Sequence, residues 1–213
     1  MQTGEGAGGK STLSIMSTMQ TAIRRFVARG VFVLVACVSI TVMVRPTFAD
    51  VRACNCDTGN IADMEKHREC SLCVVAAKQP PYVEVFFLKD ANPTKPNRLL
   101  ALPRVHTPGS HPLSSLSPEI RLVLWSAAIT KARETWGDAW AIAYNGEERR
   151  TQCHAHLHIG KLLPEQEDNN FIVVAGPADI PAPKDGTGLW VHPVGDKLHV
   201  HLGRQVNESV LMR

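Results

Sequence analysis

The pattern of apolar and polar residues predicts short strands and one long helix. Apolar, β-branched and aromatic residues cluster between turn-forming residues, which is typical of strands. The long helix is predicted over residues 118–136, because Ser117 can cap it, proline is favoured at its first position and Gly137 can end it. A second helix is predicted over residues 61–75. Strands are predicted over residues 82–88, 98–102, 140–144, 153–159, 171–175, 189–192 and 197–202.

The order of these elements predicts an α+β domain. Two strands, a helix and two more strands favour a mainly antiparallel sheet with the helix packed on one face. A lead-in is predicted at residues 50–69, before the main domain. Residues 164–213 are predicted to form a small C-terminal β extension that completes the same domain.

The first 49 residues look unlike the rest of the chain. Arg24, Arg25 and Arg29 precede an apolar run at residues 30–44, and small residues follow it. A basic region, a short apolar run and a small residue before a cleavage point are typical of a secretory signal. The run is shorter than the roughly 20 residues of a membrane span. We expect a signal peptide, with an uncleaved N-terminal anchor as the alternative, and hence an exported, periplasmic or membrane-attached protein.

Composition narrows the class of partner. The chain has 213 residues, a formal net charge of +3 and 44% hydrophobic residues, which is ordinary for a globular domain with a packed core. The basic residues form no long run, so we expect no nucleic-acid partner.

Three histidines alternate in the middle of the chain. His154, His156 and His158 are separated by apolar residues. In a strand, residues two apart share one face, so the three imidazoles would line one surface while the intervening residues face the core. Imidazoles on one face can bind a metal or act as nucleophile and proton-handling groups.

Residues 154–160 read HAHLHIG, which resembles the signature of the histidine-triad (HIT-like) superfamily, with a departure at Gly160. Together with Asn145 and the RTQ run at residues 150–152, the motif is most similar to the CDP-diacylglycerol diphosphatase branch. The resemblance implies a HIT-like fold over about residues 70–163. It also implies a covalent mechanism in which the middle histidine, His156, is the nucleophile and His158 and His154 complete the catalytic set.

Four further residues are predicted to bind substrate. Gln152, Asn145 and Arg150 can donate hydrogen bonds to phosphate, and the planar guanidinium suits a phosphate especially well. Asp90 matches by position the strand-end aspartate that holds ribose hydroxyls in the family. Arg98 stands where the family usually has a histidine, which is a departure on the nucleoside side.

The cysteines admit two interpretations. The resemblance implies one structural zinc ion, and two thiolates with two imidazoles suit tetrahedral zinc; the predicted ligands are Cys70, Cys73, His106 and His154. Export instead favours disulfides, because the compartment is oxidising. Those disulfides would form among Cys54, Cys56, Cys70 and Cys73, and Cys153 is predicted to be a buried thiol.

The resulting functional hypothesis is an exported phosphoanhydride hydrolase that acts through a covalent nucleotidyl-histidine. The resemblance suggests CDP-diacylglycerol, cleaved to CMP and phosphatidate, as a substrate at a membrane surface. It also implies a homodimer, and no organic cofactor is expected. A soluble-nucleotide hydrolase or transferase of the same superfamily is one alternative. The other is a non-catalytic metal-binding protein that uses histidines 154, 156, 158, 199 and 201.

Overall fold

The computed structural model describes residue 51, residues 54–106 and residues 111–213. The predicted signal peptide or anchor lies outside them. The described residues form an α+β fold in which one long helix packs on a seven-stranded antiparallel sheet. The strands are β1 Val85–Lys89, β2 Leu99–Pro103, β3 Trp140–Tyr144, β4 Leu157–Lys161, β5 Phe171–Val174, β6 Leu189–Val194 and β7 Lys197–Leu202. Their order across the sheet is β1-β2-β4-β3-β6-β7-β5.

The long helix has the predicted bounds. It covers Pro118–Trp136, and the Ser117 side chain accepts a hydrogen bond from Ile120 N at its start. Gly137 ends it with φ at 58°, a left-handed conformation that glycine adopts without steric cost. We number this helix α3.

The prediction of one continuous helix over residues 61–75 is wrong. The structure divides it into α1 (Ile61–Met64), a 3₁₀ turn (Arg68–Cys70) and α2 (Ser71–Ala77). Cys70 is covalently bound to Cys56, and the Glu69 carbonyl accepts a hydrogen bond from Cys153 N. The first contact fixes the position of the turn, and the second uses a backbone carbonyl that a continuous helix would need for its own hydrogen bonds.

Alternation along the strands divides the sheet into two faces. One face packs against α3 in the main core, and its residues include Ile142, Leu157, Ile159, Val191 and Val200. The opposite face, which we call the outer face, carries Ala141, Ala143 and Trp190, against which Val210 and Leu211 pack. His158 pairs with Ala143 across β3 and β4 and therefore also lies on the outer face.

The C-terminal extension continues the main sheet instead of forming a separate layer. β6 pairs with β3, with Ile142 opposite Val191, and β7 and β5 follow outward. The last residues then return to the other half of the sheet, where Leu162 and Leu211 form an antiparallel bridge. Gly160 makes room for this return, since a Cβ there would lie 3.3 Å from Leu211 Cβ.

Arg98 connects the C-terminal segment to β2 through hydrogen bonds and an ion pair. Its side chain is only 3% exposed and donates to the carbonyl oxygens of Met212 and Leu211. Its Nη1 lies 2.9 Å from Glu208 Oε2. A buried guanidinium is stable only when paired, so these contacts tie residues 208–212 to the start of β2.

Replacing Arg98 should therefore destabilise the fold. We expect Arg98→Met to lower the free energy of unfolding by about 3–5 kcal/mol, the usual cost of removing one partner of a buried pair. The measurement is urea denaturation with the disulfides intact. The matched control is Lys131→Met, whose exposed pair with Glu134 spans 3.5 Å, and which should change stability by at most about 1 kcal/mol. Equal effects of the two substitutions would contradict the assignment.

Candidate active site

His156 lies just before β4, and one hydrogen bond fixes its tautomer. Its Nδ1 is 2.9 Å from the carbonyl oxygen of His154. Because a carbonyl oxygen only accepts, Nδ1 carries the proton and Nε2 carries the lone pair. Burial, opposed by this hydrogen bond, lowers the pKa of His156, so the ring is neutral at pH 7.

His158 lies on β4, next to the ring of His156. The two ring centroids are 4.9 Å apart with an interplanar angle of 70°. Burial, together with the neighbouring His156, lowers the pKa of His158 to about 3. Its Nδ1 is 3.7 Å from Glu208 Oε2, which is too long for a direct hydrogen bond.

Both rings line a cleft of about 580 Å³ on the outer face. Ligand pockets commonly measure roughly 300–1,000 Å³, so the cleft has room for a nucleotide-sized molecule. Its charged lining consists of four basic side chains and two carboxylates, which are Arg68, Lys95, Arg149, Arg150, Asp90 and Glu208. The excess of basic groups favours an anionic ligand.

The buried side chain of Arg150 is the strongest indication that the cleft binds an anion. The residue is 4% exposed, yet its Nε and Nη1 have no hydrogen-bond partner among the described residues. The guanidinium lies over the Tyr144 ring, 5.7 Å from the centroid. Buried donors without partners are costly, and phosphate oxygens of an anionic ligand would satisfy them with charge-assisted hydrogen bonds.

The other predicted substrate residues also line the cleft, but each has contacts within the protein. Asn145 Oδ1 accepts hydrogen bonds from Asn207 N and Glu208 N. Asp90 Oδ1 accepts one from Asn92 N, as expected for a turn residue.

Gln152 holds the start of α2. Its Oε1 accepts from Ser71 Oγ at 2.8 Å and from Leu72 N, and its Nε2 donates to Arg68 O at 3.0 Å. Both the oxygen and the nitrogen of this amide are therefore hydrogen-bonded within the protein. These bonds hold α2 in place as one wall of the cleft.

Glu208 is a site residue that the sequence analysis missed. Its carboxylate contacts Lys95 Nζ at 2.5 Å as well as Arg98. Burial acts to raise the pKa of Glu208, but His158, Lys95 and Arg98 outweigh it and hold the pKa at about 2. The residue lies 110 positions from Arg98 in a segment without a recognisable motif, so no sequence signal indicated it.

The three triad histidines do not share one strand face, which corrects the prediction for His154. Strand β4 begins at Leu157, not at residue 153. The segment before it is held away from the ladder because Cys153 is disulfide-bonded to Cys54 and its carbonyl accepts from His111 N. His154 Nε2 instead lies 2.7 Å from Pro103 O.

His154 belongs to a second group, which we call the Cys73 cluster: Cys73, His106 and His154. Their ligand atoms all lie within 4.8 Å of one another. His106 and His154 stack at 5.3 Å between centroids, and the His111 ring lies 4.3 Å from that of His106. Burial raises the pKa of the Cys73 thiol to about 12.

The prediction that Cys70 is a zinc ligand is wrong. It forms a disulfide with Cys56, which removes its thiolate from metal binding. The prediction of a buried thiol at Cys153 is also wrong, because Cys153 pairs with Cys54. Cys73 is the free cysteine of the described residues, and it is buried.

The three remaining predicted ligands nevertheless fit a metal. Since His154 Nε2 donates to a carbonyl, its Nδ1 presents the lone pair, the arrangement usual for metal-bound histidine. Neither that Nδ1 nor either ring nitrogen of His106 has a hydrogen-bond partner among the described residues. One sulfur and two nitrogen donors are a set that zinc accepts.

A scan of the sequence against protein-family models gives no match, and a search of curated proteins gives none either. The resemblance to the histidine-triad superfamily therefore rests on the motif residues themselves. Within the described ranges, no helix combines the length and apolar character needed to cross a bilayer.

The cysteine pairing can be tested directly. We expect the unfolded, non-reduced protein to be alkylated at Cys73 and at none of the four paired cysteines, Cys54, Cys56, Cys70 and Cys153. The readout is mass spectrometry of the labelled peptides. Because Cys54 bonds only Cys153, Cys54→Ser should free Cys153 alone, and release of Cys70 in that variant would contradict the pairing.

Proposed function

We propose that this protein is a phosphoanhydride hydrolase that acts through a nucleotidyl intermediate on His156. The observation that carries the proposal is the hydrogen bond from His156 Nδ1–H to the His154 carbonyl. It leaves a neutral ring with its Nε2 lone pair in a cleft lined by basic side chains. Covalent catalysis by histidine needs just such an unprotonated nitrogen.

The reaction proceeds in two displacements. The Nε2 lone pair attacks phosphorus, a P–N bond forms, and the P–O bond to the bridging oxygen breaks with its electron pair leaving on the second phosphate. Nδ1 keeps its proton, so the charge of the phosphorylated ring is stabilised by the His154 carbonyl. Water then attacks phosphorus, the P–N bond breaks, and its electron pair returns to Nε2 as a proton is released.

Arg150 and His158 act on the same phosphoryl group. Charge accumulates on the phosphoryl oxygens in the transition state, and positioned donors stabilise it. Arg150, whose Nε and Nη1 are unpartnered, supplies such a donor. His158, whose centroid is 4.9 Å from that of His156, orients the leaving phosphate.

The proposed substrate is CDP-diacylglycerol, cleaved to CMP and phosphatidate. It rests on the similarity of residues 145–160 to that branch and on the predicted export signal, which would bring the enzyme to lipid surfaces. A soluble nucleotide conjugate is the rival substrate of the same chemistry. Parallel assays of the lipid and of a soluble CDP-alcohol separate the two.

The Cys73 cluster would hold a structural zinc ion. Cys73, His106 and His154 supply three ligands, and an ion bound there would fix the His154 carbonyl to which His156 donates. Zinc in such a site contributes folding energy.

Substitution of His156 tests the mechanism. We expect His156→Ala and His156→Asn to lower turnover by roughly 10⁴-fold or more, as removal of a nucleophile does in other covalent enzymes. Protein incubated with CDP-diacylglycerol labelled at the cytidylyl phosphorus should carry acid-labile label on the peptide containing His156. A labelled soluble CDP-alcohol is assayed in parallel, and preference for it would favour the rival substrate.

The control is His67→Ala, a half-exposed histidine outside the cleft, which should keep full turnover. Circular dichroism establishes that each variant is folded. Retained hydrolysis in both folded His156 variants would refute the proposed mechanism.

Metal analysis tests the zinc proposal. We expect the full chain, purified without chelator, to hold zinc and Cys73→Ser to hold about one equivalent less, because the thiolate is the strongest ligand in the cluster. The measurement is elemental analysis of folded protein. Equal zinc content in the two proteins would count against a metal at Cys73.

A further inference from the structure

A second group of metal-ligating side chains lies in the C-terminal part of the sheet. Glu167 comes from the loop between β4 and β5, His192 from β6, and His199 and His201 from β7. Their ligand atoms all lie within 4.8 Å of one another. We propose that this C-terminal histidine cluster is a binding site for a divalent transition-metal ion of the zinc type.

Strand register explains why the histidines converge. His192 is directly opposite His199 in the β6–β7 pair, and His201 lies two residues further along β7, opposite Trp190. Directly paired residues in antiparallel strands share a face, as do residues two apart. All three imidazoles therefore project from the outer face of the sheet.

The distances between the nitrogens suit a bound ion. His192 Nε2 is 3.3 Å from His201 Nε2 and 3.6 Å from Glu167 Oε1. Tetrahedral ligands at about 2.0–2.1 Å from zinc are roughly 3.3–3.4 Å apart. The His199 Nδ1 and Glu167 Oε1 atoms, 2.5 Å apart, form a direct hydrogen bond that an entering ion would replace.

Asp168 prepares His201 for metal binding. Its Oδ1 lies 3.0 Å from His201 Nδ1 and therefore accepts the proton on that nitrogen. The lone pair then lies on Nε2, the nitrogen that faces His192. Asn170 N and Arg204 in turn hold the Asp168 carboxylate. A carboxylate that orients a histidine in this way is the usual outer shell of a protein metal site.

Aromatic stacking fixes the ring planes. Trp190 stacks on His201 with centroids 3.7 Å apart and an interplanar angle of 8°. Phe171 stacks on His199 at 4.1 Å and 12°. Rings held in this way lose little conformational entropy when an ion binds, so the site is preorganised.

The donor set selects the class of ion. Three imidazoles and one carboxylate suit Zn²⁺ and its neighbours Co²⁺, Ni²⁺ and Cu²⁺, whereas Mg²⁺ and Ca²⁺ prefer all-oxygen sites. His192 and His201 are buried and Glu167 is exposed, so an ion can enter from the Glu167 side. The cluster contains no sulfur ligand, which distinguishes it spectroscopically from the Cys73 cluster.

Cobalt titration of the full chain tests this site. Chelator-stripped protein is titrated with Co²⁺ and the visible absorption recorded, after which Zn²⁺ is added to displace the cobalt. We expect His192→Gln and Glu167→Gln each to abolish the binding of one high-affinity equivalent of Co²⁺. The absorption that disappears with that equivalent should lack a sulfur-to-cobalt charge-transfer band. Asp168→Asn should weaken that equivalent by about 10–100-fold, as outer-shell substitutions do.

The matched control is His67→Gln, because His67 also lies 3.8 Å from two carboxylates, Asp63 and Glu69, but outside the cluster. It should bind like the wild type. Glu167→Gln changes an exposed side chain, so it remains informative if His192→Gln does not fold. The proposal is overturned if these variants bind as many ions as the wild type with the same affinity, or if the lost spectrum carries the sulfur band.

Discussion

The hydrogen bond from His156 Nδ1 to the His154 carbonyl is the contact on which the candidate active site depends. It forms where the chain lies outside the regular ladder, in the segment just before β4. The disulfide at Cys153 and the turn around it hold this segment away from the ladder. The covalent constraint at Cys153 thus lies one residue from the carbonyl that fixes the tautomer of His156.

Buried imidazoles occupy much of the outer face of the sheet, in place of a second apolar layer. Neutral rings cost far less to bury than charged groups, and stacking on aromatic residues compensates part of that cost. Buried neutral imidazoles occur in two places on this face, and stacking on Trp190 and Phe171 occurs in the second. Near β4 they are His156 and His158, which line the cleft, and at β6 and β7 they belong to the C-terminal histidine cluster. The five histidines of the metal-binding alternative are therefore divided among three sites, not gathered in one.

The candidate site was only partly predictable. Alternation placed His158 and its apolar neighbours on opposite faces, because that relation depends only on the period of a strand. Glu208 was missed because it reaches the cleft through the return of the C-terminal segment. The pairing of Cys54 with Cys153, which are 99 residues apart, depended in the same way on distant segments. So did the contribution of Glu167 to the C-terminal histidine cluster, because it comes from the loop before β5.

Local sequence determined most elements of this protein; the exceptions are the helix over residues 61–75, which is divided, and the start of β4. Ser117, Pro118 and Gly137 fix the ends of α3, and apolar periodicity fixes the strands and the α+β class, since capping and side-chain alternation act over a few residues. Tertiary structure alone decided the strand order, the disulfide pairs and the partner of each buried polar group. Those depend on which remote segments meet, and the free energy of such contacts is absent from any local pattern.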